Sequence, residues 1–170
     1  MQEPTSAEDV LEMHKILRAE PQRYLSIVNN WIHENSRNDR AYYDRHLAWM
    51  KLGKPRLALD DLDKAIELNP KLADFLARGG VHRHLGEYGR ALEDYGHGET
   101  MSPVEWNDIA FGLLYQADCH ARLGNEPMAS SYCARLPDDF WSPGVAGAPA
   151  GGKAEIASKL HLIAAEASKK

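Results

Sequence analysis

Apolar residues recur at three- and four-residue intervals along most of the chain, which is the spacing of amphipathic helices. In residues 41–52 the apolar positions share one helical face, and Gly53 ends the helix as a C′ glycine would. In residues 55–68 the same spacing follows Pro55, a residue that favours a first helical turn. Pro70 then ends the second helix. The pattern therefore predicts a helix, a short turn and a second helix in about 33 residues.

The same pattern returns 33 residues later. Residues 51–70 read KLGKPRLALDDLDKAIELNP, and residues 84–103 read HLGEYGRALEDYGHGETMSP. The residues that match in register are Leu52 and Leu85, Gly53 and Gly86, Ala58 and Ala91, Leu59 and Leu92, Asp61 and Asp94, and Pro70 and Pro103. A fixed period of this size is typical of repeat proteins. Since neither helix of a unit can bury its apolar stripe alone, the units must stack.

These residues resemble the tetratricopeptide repeat, in about three copies. The first copy, 39–71, carries Tyr42, Trp49, Leu52, Gly53, Ala58, Leu62, Ala65 and Pro70. The second, 72–104, carries Phe75, Gly79, Leu85, Gly86, Tyr88, Ala91, Tyr95 and Pro103. The third, 105–137, carries Leu113, Ala117, Leu123, Gly124, Ala129 and Cys133. The chain departs from the family pattern at His46, at Gly98 and at the end of the third copy, where Leu136-Pro137 replaces Asn-Pro.

The resemblance implies an all-α, tetratricopeptide-like superhelix of antiparallel helix pairs in a single domain, 1–170. Residues 6–36 would form an N-terminal helix pair or degenerate repeat. A loop rich in Gly, Pro and Ala would occupy 138–152, and a capping helix would occupy 153–168. We expect Phe140 and Trp141 to be docked, because they are too apolar for a free linker.

The helix boundaries carry further expectations. Ser6 and Asp9 can cap the first helix, whose buried side is expected to hold Val10, Leu11, His14, Ile16 and Leu17. A single long helix is expected over about 103–123. The helix before it should end early or fray, since Gly96 and Gly98 each cost on the order of 1 kcal/mol against alanine.

The composition is ordinary: 170 residues, 44% hydrophobic, 26% charged and a net charge of −5. No run of eighteen apolar residues and no basic cluster occurs, so neither a membrane nor a nucleic-acid partner is expected. The first residues lack the features of a secretory signal. Cys119 and Cys133 match no metal or disulfide pattern, and we expect reduced, buried thiols in a cytoplasmic protein.

No catalytic constellation is apparent, so we expect neither an enzyme nor a cofactor or metal. Eight histidines are present without an HExxH motif, and there is no GxSxG or P-loop motif. His82 and His120 occupy the helix position of Trp49, which favours packing between helices. The carboxylates of the second helices are expected mostly on the solvated face: Asp60, Asp61, Asp63, Glu93 and Asp94.

The resemblance implies a function in binding. In proteins of this kind the first helix of each repeat, helix A, lines a concave groove that binds peptides or partner helices. The residues that would line it here are Arg40, Tyr43, Leu47, Met50, Lys51, Leu76, Arg83, His84, Phe111, Leu114, Asp118 and Arg122. This mixture predicts a protein or peptide partner with acidic and apolar groups, bound by a monomer or weak homodimer.

One known specialisation of the family is not expected here. Co-chaperones hold a terminal carboxylate with asparagines and basic residues, whereas the corresponding positions hold Asp44, Ala77 and Tyr115. We therefore do not predict binding of heat-shock-protein tails.

Three alternatives stay open on the sequence. The chain could be a secretion chaperone that cradles an unfolded cargo segment and dimerises through residues 6–34. It could be a structural subunit of a larger assembly, with Trp106, Phe140 and Trp141 as contacts. The histidines could also belong to an enzyme or a metal protein.

Overall fold

The structure is a computed structural model that describes residues 3–101, 110–144 and 147–169. Its helices are α1 (Ala7–Ala19), α2 (Pro21–Glu34), α3 (Asp39–Lys51), α4 (Pro55–Leu68), α5 (Leu72–His84), α6 (Tyr88–Met101), α7 (Ala110–Arg122), α8 (Glu126–Ala134) and α9 (Lys153–Ala167). Two short strands, β1 (Trp141–Pro143) and β2 (Ala150–Gly152), pair antiparallel. None of the described helices is long and apolar enough to cross a membrane.

The chain divides into two compact units, which are described separately. Unit 1 is Met1–Asp74 and contains α1 to α4 with the first turn of α5. Unit 2 is Phe75–Lys170 and contains the rest of α5, α6 to α9 and the two strands. A single domain over 1–170 stays a prediction.

The capping box predicted for α1 is present. The Asp9 backbone N–H donates to Ser6 Oγ at 3.1 Å, and the Ser6 N–H donates to Asp9 Oδ2 at 3.0 Å. The predicted buried side is wrong in part, because Leu11 is 56% exposed and His14 is exposed, whereas Met13 is buried. The stripe that packs holds Met13, Ile16 and Leu17, and Leu11, two residues before Met13, lies on the opposite side of the helix.

The core of unit 1 lies where α1, α2 and α3 meet. Large side chains of α2 pack against small residues of α3 and against α1; the buried cluster is Met13, Ile16, Leu17, Tyr24, Leu25, Val28, Trp31, Ala41 and Ala48. Ala41 and Ala48 expose no surface, so the backbone of α3 can come close to the rings of α2. This packing holds α3 against the N-terminal helix pair.

The turn between the two helices recurs three times with the same backbone. Gly53, Gly86 and Gly124 have φ values of 66°, 76° and 76°, which glycine adopts without the steric cost of a Cβ. Ala58 and Ala91 in the following helices are buried completely. The predicted helix-turn-helix unit is thus formed in both compact units.

A large side chain faces a small one within the second repeat. A Cβ added to Gly79 on α5 would lie 2.5 Å from Cε1 of Tyr95 on α6, whose side chain is fully buried. Interior packing leaves no room for such an atom. The absence of a side chain at Gly79 therefore leaves room for the Tyr95 ring to pack against α5.

We expect Gly79→Ala to destabilise unit 2 by about 2 kcal/mol, because the added methyl overpacks the Tyr95 ring. Gly80→Ala is the matched control: nothing lies within 4 Å of its Cβ, so it should stabilise the helix by about 0.5–1 kcal/mol. The two free energies of unfolding, measured in urea by circular dichroism, should move in opposite directions. A gain in both variants would contradict the packing of Tyr95 on α5.

The C-terminal part of unit 2 differs from an irregular loop. Ser142 pairs with Gly151 in the β1–β2 ladder and is completely buried. The Lys153 ammonium donates to the Leu136 carbonyl at 2.6 Å and so ties the start of α9 to the end of the third repeat. The predicted capping helix is present as α9, with Ile156, Leu160 and Ala164 buried.

Two expectations about the middle of the chain have different outcomes. The expected early end of α6 is wrong: the helix continues to Met101, and the Thr100 hydroxyl donates to the Gly96 carbonyl at 2.9 Å. Of the long helix expected over 103–123, the structure describes α7 from Ala110, and residues 102–109, with Trp106, lie outside the described residues.

Candidate functional site

An arginine–aspartate pair joins the two helices of the first and the second repeat. The Arg45 guanidinium donates to Asp61 at 2.8 and 2.5 Å, and the Arg78 guanidinium donates to Asp94 at 3.1 and 2.6 Å. Asp61 and Asp94 are each 3% exposed. The prediction that these carboxylates are solvated is therefore wrong. They hold helix pairs together.

The third repeat has other residues at the two positions of the arginine–aspartate pair. Gln116 stands at the position of the arginine and donates to Glu99 at 3.3 Å. Tyr132 stands at the position of the aspartate, and the His120 ring stacks on it with centroids 5.5 Å apart. The recurrence of Arg45 and Arg78 at 33 residues was a sequence signal for the first two pairs. The expectation that His120 packs between helices agrees with the stacking.

A buried ion cluster occupies the middle of unit 2. The Arg83 guanidinium on α5 donates to Asp118 Oδ2 at 2.9 Å, with 3% and 0% of the two side chains exposed. The Arg122 Nε donates to the same carboxylate at 3.0 Å. The Arg83 guanidinium also lies over the Tyr115 ring, 4.4 Å from its centroid. One carboxylate thus pairs with two guanidinium groups, and the guanidinium of Arg83 is also stacked on a ring.

Several predicted groove residues are interior residues in this structure. Arg83 and Asp118 are buried in the ion cluster, and Leu114 exposes no surface. In this arrangement of unit 2 they are not accessible to a partner segment. Burial also raises the pKa of the Cys119 thiol to about 12 and raises the pKa of Cys133, which keeps both groups in the thiol form at neutral pH.

The helix-A residues of unit 1 form a surface that we name the α3 face: Arg40, Tyr43, Leu47, Met50 and Lys51. Arg40 and Lys51 are exposed at opposite ends, and the three residues between them are half-buried. At the N-terminal end, a pocket of about 190 Å³ is lined by Arg40, Tyr43, Lys71, Ala73 and Asp74. Burial raises the pKa of Tyr43, so its hydroxyl stays neutral and can donate a hydrogen bond there.

The other end of the α3 face opens into a basic pocket of about 310 Å³, lined by His14, Leu17, Arg18 and Lys51. Arg18 and Lys51 make no ion pair with any described carboxylate, and the side chain of Leu17 forms an apolar floor. In the first pocket, by contrast, Arg40 already donates to Asp44 at 3.0 Å and Lys71 is paired with Asp39. The basic pocket is the more cationic end of the face.

The corresponding surface in unit 2, the α7 face, consists of Phe111, Leu114, Asp118 and Arg122. Phe140 packs edge-on against Phe111, with the ring centroids 5.4 Å apart, and the Arg122 guanidinium donates to the Gly147 carbonyl at 3.1 Å. The prediction that Phe140 is docked therefore agrees with the structure. The same prediction for Trp141 is wrong, because Trp141 is 62% exposed.

Comparisons with known proteins agree with this architecture. No family model matches the chain. It is 34% identical over 86 residues to "Hsp70-Hsp90 organizing protein 2" of Arabidopsis thaliana, covering 48% of this chain and 15% of that protein. It is 32% identical over 105 residues to "Hsp70-Hsp90 organizing protein 3" of the same plant, covering 59% and 19%. The chain thus spans less than a fifth of the length of these curated relatives.

Solved structures show the fold. The chain superposes on a crystal structure of MamA with a TM-score of 0.65 at 20% identity, covering 78% of this chain and 77% of that one. A second MamA structure gives a TM-score of 0.64 at 20% identity, with 75% and 69% covered. The resemblance to the tetratricopeptide repeat is confirmed. The chain has the all-α fold that this resemblance implies, with an added two-stranded hairpin.

The two histidines near the end of α5 differ in their surroundings. His82 Nδ1 lies 2.7 Å from a Glu87 carboxylate oxygen, and its Nε2 lies 4.0 Å from Asp94. His84, by contrast, is exposed at the end of α5, and Leu76 on the same helix is half-buried. Within the described ranges, no group of three or more His, Cys, Asp or Glu residues is arranged to hold a metal ion.

Proposed function

We propose that this chain is a non-enzymatic, cytoplasmic interaction module, and that it binds a short extended segment of another protein along the α3 face. The observation that carries the proposal is the basic pocket at one end of a half-buried apolar surface. A chain with a net charge of −5 repels acidic partners at long range, so a local group of cations without paired carboxylates marks where an acidic group could bind. The two free, buried thiols fit a reducing compartment.

The dimensions of the α3 face set the length of the ligand. Arg40 and Lys51 are eleven residues apart on one helix, so the face is roughly 16 Å long at 1.5 Å per residue. An extended segment of about five residues covers that distance. Leu47 and Met50 would contact its apolar side chains, and Arg18 with Lys51 would bind a carboxylate at its end.

The proposal does not include the heat-shock proteins that the names of the relatives mention. The relevant helix-A positions hold Asp44, Ala77 and Tyr115, and the Asp44 carboxylate is buried beside Arg40. An acidic side chain at this position repels a terminal carboxylate, where a clamp would need an amide or a cation.

A peptide library tests the proposal with a charge-reversal variant. We expect wild-type protein to select peptides of five to eight residues with apolar residues followed or preceded by an acidic end. Arg18→Glu/Lys51→Glu should weaken the best peptide at least tenfold in fluorescence anisotropy, because two cations of the pocket become anions. Methyl groups of Leu47 and Met50 should shift in NMR spectra on binding.

The matched control is Lys15→Glu, which reverses one charge on α1 outside the pocket, where Lys15 pairs with Glu12 at the surface. This variant should bind the peptide like wild type. If no peptide is selected, or if the pocket variant and the control bind equally well, the α3 face is not the binding site.

A further inference from the structure

The C-terminal segment of unit 2 contacts a helix-A face at two points, one near each end of the helix. We define this segment as residues 138–144 and 147–152. Phe140 contacts Phe111 at the start of α7, and the Gly147 carbonyl accepts from Arg122 at its end. The segment therefore runs in the same direction as α7 and is anchored at both ends of the α7 face.

The length of the segment fits this path. Phe111 and Arg122 are eleven residues apart, about 16 Å along the helix. Seven residues from Phe140 to Gly147 reach at most about 23 Å when extended, which leaves room for the left-handed turn at Gly144. Ser142 and Ala148 are buried, whereas Trp141 between the anchors is exposed. The two groups that anchor the segment to α7 are the Phe140 ring and the Gly147 carbonyl.

The internal support of the segment is small. Its ladder has three residue pairs, Trp141 with Gly152, Ser142 with Gly151 and Pro143 with Ala150. An isolated two-stranded hairpin is marginally stable at best in water. Its order consequently depends on docking, through Phe111 and Arg122 at the α7 face and through the Lys159 ammonium, which donates to the Ala150 carbonyl at 2.6 Å.

We infer that residues 138–144 and 147–152 are an internal ligand of the α7 face, which accepts a segment of another protein only after this one has left. The inference concerns unit 2 and does not rest on the proposed site in unit 1. The two contacts indicate what a segment that competes with residues 138–144 and 147–152 would need. It would place an aromatic side chain against Phe111 and an oxygen acceptor near Arg122. A carboxylate in place of the Gly147 carbonyl would bind the guanidinium more strongly, because the donor and the acceptor of the hydrogen bond would then carry opposite charges.

The first test uses a fluorescein-labelled peptide that copies residues 138–152, added to the full-length chain. The tethered segment competes at an effective concentration in the millimolar range, so wild type should bind the peptide weakly. Phe140→Ala loosens the tethered copy and should bind the peptide at least tenfold more tightly. Phe111→Ala/Phe140→Ala should lose this gain, and so should a peptide in which its own Phe140 is replaced by alanine.

The second test uses wild type alone and stays informative if a variant folds poorly. In hydrogen exchange, the amides of the non-proline residues in 141–144 and 147–152 should exchange at least tenfold faster than those of Ile156, Leu160 and Ala164 in α9, because the segment opens while α9 stays docked. Equal exchange in the two regions, or equal binding of the peptide by wild type and Phe140→Ala, would overturn the inference and show a permanent structural cover. Neither result would affect the peptide test on the α3 face.

Discussion

Asp118→Asn is expected to cost unit 2 about 3–5 kcal/mol of its free energy of unfolding. The Asp118 carboxylate is completely buried and accepts from the Arg83 guanidinium at 2.9 Å and from the Arg122 guanidinium at 3.0 Å. An asparagine of the same shape leaves the buried Arg83 charge without a counter-charge. Urea unfolding followed by circular dichroism measures the loss.

The control and a double variant separate charge from packing. Asp60→Asn on α4 changes an exposed carboxylate and should alter stability by less than about 0.5 kcal/mol. Arg83→Met/Asp118→Asn removes the inner charge together with its partner, so it should be more stable than Asp118→Asn alone. A loss below about 1 kcal/mol in Asp118→Asn would mean that the carboxylate does not hold Arg83 in place.

The same cluster explains why the sequence predicted the fold better than the site. Helical spacing identifies Arg83 and Asp118 as helix-A residues on one side of their helices. It does not tell whether that side faces solvent or a neighbouring helix. The Arg83 side chain extends from α5 to α7 and is buried there, because Asp118 and the Tyr115 ring replace the water that it would otherwise need. Tertiary pairing of this kind leaves no local periodicity.

The turns and caps were predictable because local chemistry determines them. Gly53 needs a positive φ, and Ser6 with Asp9 satisfies the first N–H groups of α1, whatever the rest of the chain does. The C-terminal hairpin shows the opposite case. Its Gly- and Pro-rich sequence predicts turns, but it does not predict that Ser142, which pairs with Gly151, is completely buried.

The α3 face combines both cases. Arg40, Tyr43 and Lys51 follow from the repeat register, and they do lie at an open surface. The contribution of Arg18 from α1 was not predictable, because it depends on how the N-terminal helix pair packs against α3. The expected buried side of α1 included His14, which instead lines the basic pocket beside Arg18. The cationic end of the proposed site is therefore a product of packing between elements.

His46 should make the stability of unit 1 depend on pH between about 4 and 6.5. Burial lowers the pKa of His46 from 6.5 to about 4, while its Nδ1–H donates to the Tyr43 carbonyl. Between these two pH values, His46 is protonated in the unfolded chain but neutral in the folded chain. The free energy of unfolding therefore falls as the pH falls. The full shift corresponds to about 3 kcal/mol, of which about 2 kcal/mol should be lost between pH 7 and pH 5.

His46→Asn isolates this effect, because an asparagine amide can donate to the Tyr43 carbonyl and does not titrate. Burial also raises the pKa values of Asp44 and Asp74, and these two groups favour the folded state as the pH falls, opposite in sign to His46. They are present in both proteins, so the difference between wild type and variant reports His46 alone. Urea unfolding at pH 7 and pH 5 should show wild type losing about 2 kcal/mol more than His46→Asn. Equal losses in the two proteins would mean that the imidazole is protonated in the folded state and is not held neutral by burial.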